Sequence, residues 1–431
     1  MLKLFSLLFL LSTLLFSSTT KSYDFNLIKK GVDDNNTLLV VGGIQGDEPG
    51  GFLSASLLAT HYEITKGSLW IVPNLNFYSI LKRSRGTYGD MNRKFADLSY
   101  KDPEYNIVQR IKSYIKDDKV KMVVNLHDGS GFYRPKHIDD MHSPYRWGQC
   151  SIIDQSNIKT EYGDLEKIAS DVVEYVNKYL MKEEHRYHLH NTRTNEGDKE
   201  MEKTLTYFAI NNNKAAFGNE ASKSLRTHER VYYHLLALEK YMQVMGIEFK
   251  RKFKMTSSGV YAAINNDIYI SMYDDKIKLP LSKIRNYLKY FPIKKDQEVD
   301  FRASNPLLTI LKDGNEYTIQ YGNRRLSRLK ADYMEHDEQR PEFEFLVDGQ
   351  SKNVMFGDIV EVEDNFLVKN DNSYRVNVIG YTTASKQETN VEIRKSQIPK
   401  RFSVDKSGDI YRVEYYKKDK FAGMVLIKFK S

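Results

Sequence analysis

The chain has 431 residues, room for two to four domains at roughly 100–200 residues each. A hydrophobic fraction of 41% with 28% charged residues excludes a fully disordered chain and a polytopic membrane protein. The lone Cys150 excludes an intramolecular disulfide framework and a thiolate metal cluster, so any metal must be held by His, Asp, Glu or amide oxygens. Lys and Arg (65) exceed Asp and Glu (57) for a net charge of +8, and 30 Tyr with 21 Phe beside two Trp point to β-rich regions.

Residues 4–16 are apolar apart from Ser6, Ser12 and Thr13, behind Lys3 and ahead of the small residues 17–20. A helix of that length covers about 20 Å, short of a ~30 Å hydrocarbon core. The pattern predicts a secretory signal peptide over residues 1–20, or else an uncleaved anchor; either puts the working protein outside the cytoplasm. No other run is apolar enough to span a membrane. Residues 37–44 form a continuous apolar run, the mark of a buried parallel strand. Residues 51–60 then read as a helix, 68–72 as a second strand and 119–126 as a third. Ile107, Val108, Ile111 and Ile115 make a helical stripe behind Pro103, and Leu165, Ile168, Ala169, Val172 and Val176 make another. Val231, Leu235, Leu238 and Met242 mark a last helix, stopped by Gly246. This alternation predicts an α/β domain over residues 21–246, with helices on both faces of its sheet.

Beyond Gly246 the texture changes. Residues 261–273 and 277–280 read as short strands, 281–290 as a short helix and 315–321 as a strand, giving a β-rich module over 247–343. Short segments between turns then predict an all-β unit over 344–431, immunoglobulin-like in its spacing. Residues 391–431 hold eleven Lys and Arg against five Asp and Glu. That surplus fits a contact with wall glycan or a partner protein, or a plain solvated face. No RNA-binding signature or zinc finger is present, so nucleic acid is not an expected partner.

Sites in open α/β sheets form at the carboxyl ends of strands. The first strand runs into Gly42-Gly43-Ile44-Gln45-Gly46-Asp47-Glu48-Pro49-Gly50-Gly51, and the third ends in Asn125-Leu126-His127-Asp128-Gly129. Between them lies Arg85-Gly86-Thr87-Tyr88-Gly89-Asp90-Met91-Asn92-Arg93, and late in the domain comes Phe217-Gly218-Asn219-Glu220-Ala221-Ser222. Singly, each has a bland explanation: a tight turn, a solvated arginine loop, a satisfied core histidine. A metal site built from His, Asp, Glu or amide oxygens would find such donors in these motifs. Asp128 or Asp47 could orient a ligand from behind.

In this order, over about residues 37–225, the four motifs resemble the carboxypeptidase A-like zinc metallocarboxypeptidases. The family pattern is a His-x-x-Glu pair after the first strand, an Arg and an Asn-Arg pair, a third ligand His at a later strand end, and a catalytic Glu near the domain end. Gln45 departs from it, standing where the first His would be. The Gln-x-x-Glu variant, the signal peptide and the long β-tail are similar to the helical-cell-shape peptidoglycan DL-carboxypeptidases, in which that Gln is expected. The resemblance implies one Zn2+ on Gln45, Glu48 and His127, Glu220 as general base and Arg85 at the oxyanion. It further implies Asn92 and Arg93 as a carboxylate clamp, a periplasmic location, and peptidoglycan tripeptide as substrate, with meso-diaminopimelate released. Trp147 and Thr206 fall where a pocket wall for that residue could lie, and Tyr207 where it could contact the scissile region, although ordinary packing explains all three at least as well. His137, His142, His188 and His190 read as surface residues, and Cys150 as a small buried hydrophobe. Two competing readings are an aspartoacylase-like amino-acid deacylase, against which the signal sequence argues, and a wall-binding scaffold with a decayed metal site.

Overall fold

The structure, a computed structural model, describes residues 16–18, 23–382, 384 and 388–430. The apolar leader otherwise lies outside these, so the signal-peptide reading falls on undescribed residues; Phe16–Ser18 pairs antiparallel with Phe301–Ala303. Among the described residues no helix is long and apolar enough to cross a membrane.

The amino-terminal unit is a seven-stranded mixed sheet. In chain order its strands are β1 (Ile28–Gly31), β2 (Thr37–Val41), β3 (Ser68–Val72), β4 (Val120–Gly129), β5 (Cys150–Ile153), β6 (His188–Asn191) and β7 (Ala215–Ser222), in the spatial order β6-β5-β7-β4-β2-β3-β1. The central strands β7, β4, β2 and β3 run parallel, while β1 and β5 pair antiparallel to β3 and β7. Every residue of β2, β3, β5 and β7 is buried, as strands covered on both faces must be. Helices α1 (Pro49–His61), α4 (Leu165–Asn177) and α6 (Thr227–Val244) pack together as one layer. On the other side α3 (Tyr105–Lys116) meets α5 (Leu205–Ile210), with Lys112 Nζ 4.8 Å from the centre of the Phe208 ring. The short α2 (Phe77–Lys82) follows β3, and α7 (Ser257–Asn265) closes the unit.

Two segments differ from the sequence reading. Residues 261–265 finish α7, which starts on the Thr256 hydroxyl accepting from Gly259 N, and only Tyr269–Met272 is strand. Residues 281–290 form no helix; the chain turns there and enters β8 (Tyr287–Lys294). A bulge between Leu288 and Phe291, with Tyr290 at φ 49°, puts buried apolar residues three apart and so mimics a helical stripe. With β9 (Leu308–Asp313), β10 (Glu316–Tyr321) and β11 (Arg324–Met334), β8 makes a four-stranded sheet. Its apolar face joins the core of the amino-terminal unit, so one continuous core runs from Phe25 to Leu329 and takes in Val404, Phe421, Met424 and Leu426 from the end of the chain. Two further four-stranded sheets, built from residues 342–429, face each other across a separate core that includes Phe343, Phe345, Phe366 and Tyr415.

Candidate active site

The four motifs meet at the carboxyl ends of β2, β4 and β7. Parallel pairing in register sets Glu220 of β7 directly beside His127 of β4. The two side chains therefore leave the sheet on one face. Glu48 is brought in as the residue immediately before α1, whose Pro49 needs no hydrogen-bond donor. Close approach is possible because Gly50 carries no side chain: a Cβ there would lie 2.2 Å from Asp128 Oδ1. In its place Gly50 N donates to Asp128 Oδ2 at 2.8 Å.

These elements line a cavity of about 240 Å3. Gln45, Glu48, Arg85, Asn92, Arg93 and His127 open onto it, as do Trp147, Thr206 and Glu220. Tyr207 does not line it; its backbone N instead donates to the Thr204 hydroxyl that caps α5. His127 Nδ1 stands 3.0 Å from Gln45 Oε1 and 3.0 Å from Glu48 Oε2, so three donor atoms converge on one point. Asp90 settles which way the Gln45 amide faces, because both of its oxygens accept from Gln45 Nε2, at 2.8 and 2.9 Å. Oε1 is thereby turned to the cavity. Burial works against the charge on Asp90, but the Gln45 bond and Arg85 outweigh it and hold the carboxyl below its usual range.

Among the described residues no three His, Cys, Asp or Glu cluster to hold a metal, since here the third donor is an amide oxygen. The set nonetheless suits a hard or borderline divalent cation: one anionic oxygen, one neutral oxygen, one imidazole nitrogen. Asn125 Nδ2 lies 2.8 Å from His127 Nε2, while Asn125 Oδ1 is buried without a partner among the described residues. Turning that amide over puts an acceptor on Nε2–H and leaves Nδ1 bare toward the cavity.

Across the cavity Glu220 is buried, and its Oε2 has no hydrogen-bond partner among the described residues. Burial, reinforced by Glu48 and Asp128 and opposed by His127, raises its carboxyl to about 8. Arg85, 52% exposed, reaches Glu48 Oε1 at 3.4 Å and Asp90 Oδ2 at 3.0 Å. Asn92 Oδ1 accepts from Leu205 N, and Arg93 Nη1 donates to the Asn92 carbonyl. A second tier stands behind the site: Asp128 accepts from Arg230 and His234, and His234 in turn meets Asn219 beside Glu220. Asp47 pairs instead with Lys223 at 2.7 Å. Sequence reasoning had no signal for Asp90, Asn125, Lys223 or His234 in these roles.

Three of the spare histidines are half-buried rather than on the surface. His190 stacks on Tyr133 with ring centres 4.0 Å apart and also meets Trp147, His142 stacks on Phe132, and His188 packs edge-on against Tyr133. His137 is exposed as expected. Cys150 is fully buried, its thiol donating to the Trp147 carbonyl at 3.1 Å.

A buried carboxyl facing three convergent donor atoms, with arginines at the rim, is an arrangement that suits a metallo-carboxypeptidase, and comparison with known proteins gives that class a family. Residues 1–265 match the family described as carboxypeptidase controlling helical cell shape, catalytic, and residues 336–430 match the C-terminal domain of metallo-carboxypeptidase. The chain belongs to this family of carboxypeptidases controlling helical cell shape, an assignment that implies a metal cofactor and sets aside the deacylase reading. Its fold is that of the cell shape determinant Csd4 from Helicobacter pylori. The apo structure of that protein is 40% identical, covering 94% of this chain and 100% of the other at a TM-score of 0.85. Tripeptide-bound Csd4, and Csd4 bound to mDAP and described as a D,L-carboxypeptidase, match with the same identity, coverage and score. No curated protein sequence matches.

Proposed function

We propose that this chain is a periplasmic, zinc-dependent D,L-carboxypeptidase that trims peptidoglycan tripeptide stems to dipeptides, releasing the terminal meso-diaminopimelate and so remodelling the wall. The observation that carries this reading is the convergence of Gln45 Oε1, Glu48 Oε2 and His127 Nδ1 opposite the buried Glu220. Likeness to Csd4, solved with tripeptide and with mDAP bound, supports the substrate class. Zinc fits the donor set, with Gln45, Glu48 and His127 as the holding residues; bound there it would polarise the scissile carbonyl and acidify water.

The chain's own groups supply the rest. Glu220 takes the proton from the attacking water on its unpartnered carboxylate and returns it to the leaving amino group. With a cation held by Gln45, Glu48 and His127, the ionised form of Glu220 would be favoured and its raised pKa drawn back down. Arg85 faces the oxygen on which negative charge develops. The planar fork of Arg93 holds the free terminal carboxylate, with Asn92 Nδ2 fixed beside it by the bond from Leu205 N to Asn92 Oδ1. Thr206 and Trp147 wall the pocket, and the Thr206 hydroxyl shares a hydrogen bond with that of Thr204 at 3.2 Å. The basic surplus of residues 391–431 supports a contact of that tail with wall glycan or other cell-shape proteins.

The reading is tested by incubating zinc-loaded protein with tri-, tetra- and pentapeptide muropeptides and weighing the products. Tripeptide should lose one diaminopimelate, and a chelator should stop the loss. Zinc-loaded protein that leaves all three intact would sink it.

A further inference from the structure

The catalytic cavity, at about 240 Å3, has room for little more than the terminal residue of a stem. On the far side of the loop that lines it lies a much larger cleft, of about 1370 Å3. Small-molecule pockets run to about 300–1,000 Å3, so this is the size of a groove for something extended. One bank is the end of α2, with Lys82 and Arg83; the other is the β8–β11 sheet and the turn after β8, with Lys295, Lys312, Arg325 and Arg328. Asp296, Glu298 and Asp313 stand among them, leaving the cations in excess. Arg328 is shared with Glu316 at 3.5 Å, but among the described residues Lys82, Lys312 and Arg325 make no ion pair.

Two features tie the cleft to the active site. Arg83 adopts the left-handed conformation at φ 55°, and Arg83 Nε donates to the Asn323 carbonyl on the far bank at 2.6 Å. Two residues later the same turn delivers Arg85 to the catalytic cavity. A row of rings also leads from the cleft toward the loop that carries Arg85. Tyr23, in the cleft and 42% exposed, lies 5.1 Å from Tyr78, which stacks at 5.9 Å on Tyr88, 48% exposed in the catalytic loop.

We infer that this cleft and its tyrosine row hold the peptidoglycan polymer itself, the amino-sugar strand with its neighbouring carboxylate-bearing stems, while one stem end enters the catalytic cavity. The inference rests on the peptidoglycan reading above. Flat aromatic faces accept the C–H faces of sugar rings, and the cations accept the carboxylates of stems not being cut. A polymer seated this way is held by many weak, salt-sensitive contacts outside the chemistry, which raises the local concentration of stems without touching the reacting bond.

The test uses the full chain with Lys312→Glu and Arg325→Glu combined, both side chains being exposed. Co-sedimentation with purified wall polymer, which needs no turnover, should fall about tenfold, and wild-type binding should weaken with added salt. Hydrolysis of soluble tripeptide should stay within twofold of wild type, while hydrolysis of the same stems in polymer falls about tenfold. Unchanged co-sedimentation overturns the inference and leaves a protein partner as the occupant. An equal loss on soluble and polymeric stems overturns it too, by making the two residues general supports of the active site. A wild-type protein that binds polymer through these residues but cuts no stem would instead refute the peptidase reading and leave the groove standing.

Discussion

The side chains at the strand ends of the amino-terminal sheet and those inside the carboxyl-terminal sandwich are alike buried, yet their chemistry is opposite. At the strand ends Gln45, Glu48, Asn125, His127, Asp128, Asn219, Glu220 and His234 are all buried. Inside the sandwich the space is taken by apolar and aromatic side chains, with Phe343 stacked 4.0 Å from Tyr415. The charged Arg412–Glu414 pair of the sandwich points away from that core, where Arg412 donates to the carbonyls of Lys289 and Tyr290. Burying polar groups costs stability unless each finds a partner. Among the described residues the strand ends leave Glu220 Oε2, Asn125 Oδ1 and Asn219 Oδ1 without one, whereas the unpartnered polar atom in the sandwich core is the Tyr415 hydroxyl, a neutral group at the end of an aromatic ring. One region is built to hold its shape, the other to be completed by ligands.

That contrast can be broken by substitution. Glu220→Gln keeps the shape and removes the proton carrier, so kcat should fall about a thousandfold with metal content and Tm unchanged. A variant that turns over at near wild-type rate would show that another group is the base. Phe343→Ala is the mirror case: a loss of about 3 kcal/mol or more in unfolding free energy, read by denaturant titration, with kcat/KM of the folded fraction intact. Asp90→Asn frees the Gln45 amide to turn over; metal affinity, measured by competition with a chromophoric chelator, should drop about 10–100-fold. The smallest effect is expected from acid. Burial lowers His61, His188, His190 and His336 from the ordinary 6.5 to about 4. Each is neutral when folded and would take up a proton when unfolded. Its contribution is therefore complete above about pH 6.5 and is lost as pH falls from there toward 4. Tm should decline from pH 7 to pH 5, less steeply in His336→Gln; a flat profile would contradict the burial of these rings.

The helices and central strands were legible because their apolar runs answer to one period each, and the site because its polar motifs interrupt those runs at strand ends. What escaped was whatever depends on approach in space. Asp90 stands inside a motif that was read, but its bond to Gln45 spans 45 residues of chain. His234 sits in an apolar helix and declares itself only by reaching Asp128, 106 residues back. The bulge at Leu288–Phe291 counterfeited a helix, since an extra residue in a strand shifts its period from two toward three. Tyr207 shows how fine such placement is: its neighbour Thr206 lines the cavity and Tyr207 itself does not.

Cys150 gives the protein a built-in gauge. It lies on β5, in register with Glu220 across the strand pair, and its thiol is sealed beneath the Trp147 carbonyl. Burial also holds that thiol well above its ordinary pKa, so a water-soluble alkylating agent can react only when the sheet parts at this seam. The rate of labelling in native buffer, followed by intact mass, therefore times the opening of the catalytic floor one molecule at a time. Because the chain has no second cysteine, each modified molecule carries a single, unambiguous mark.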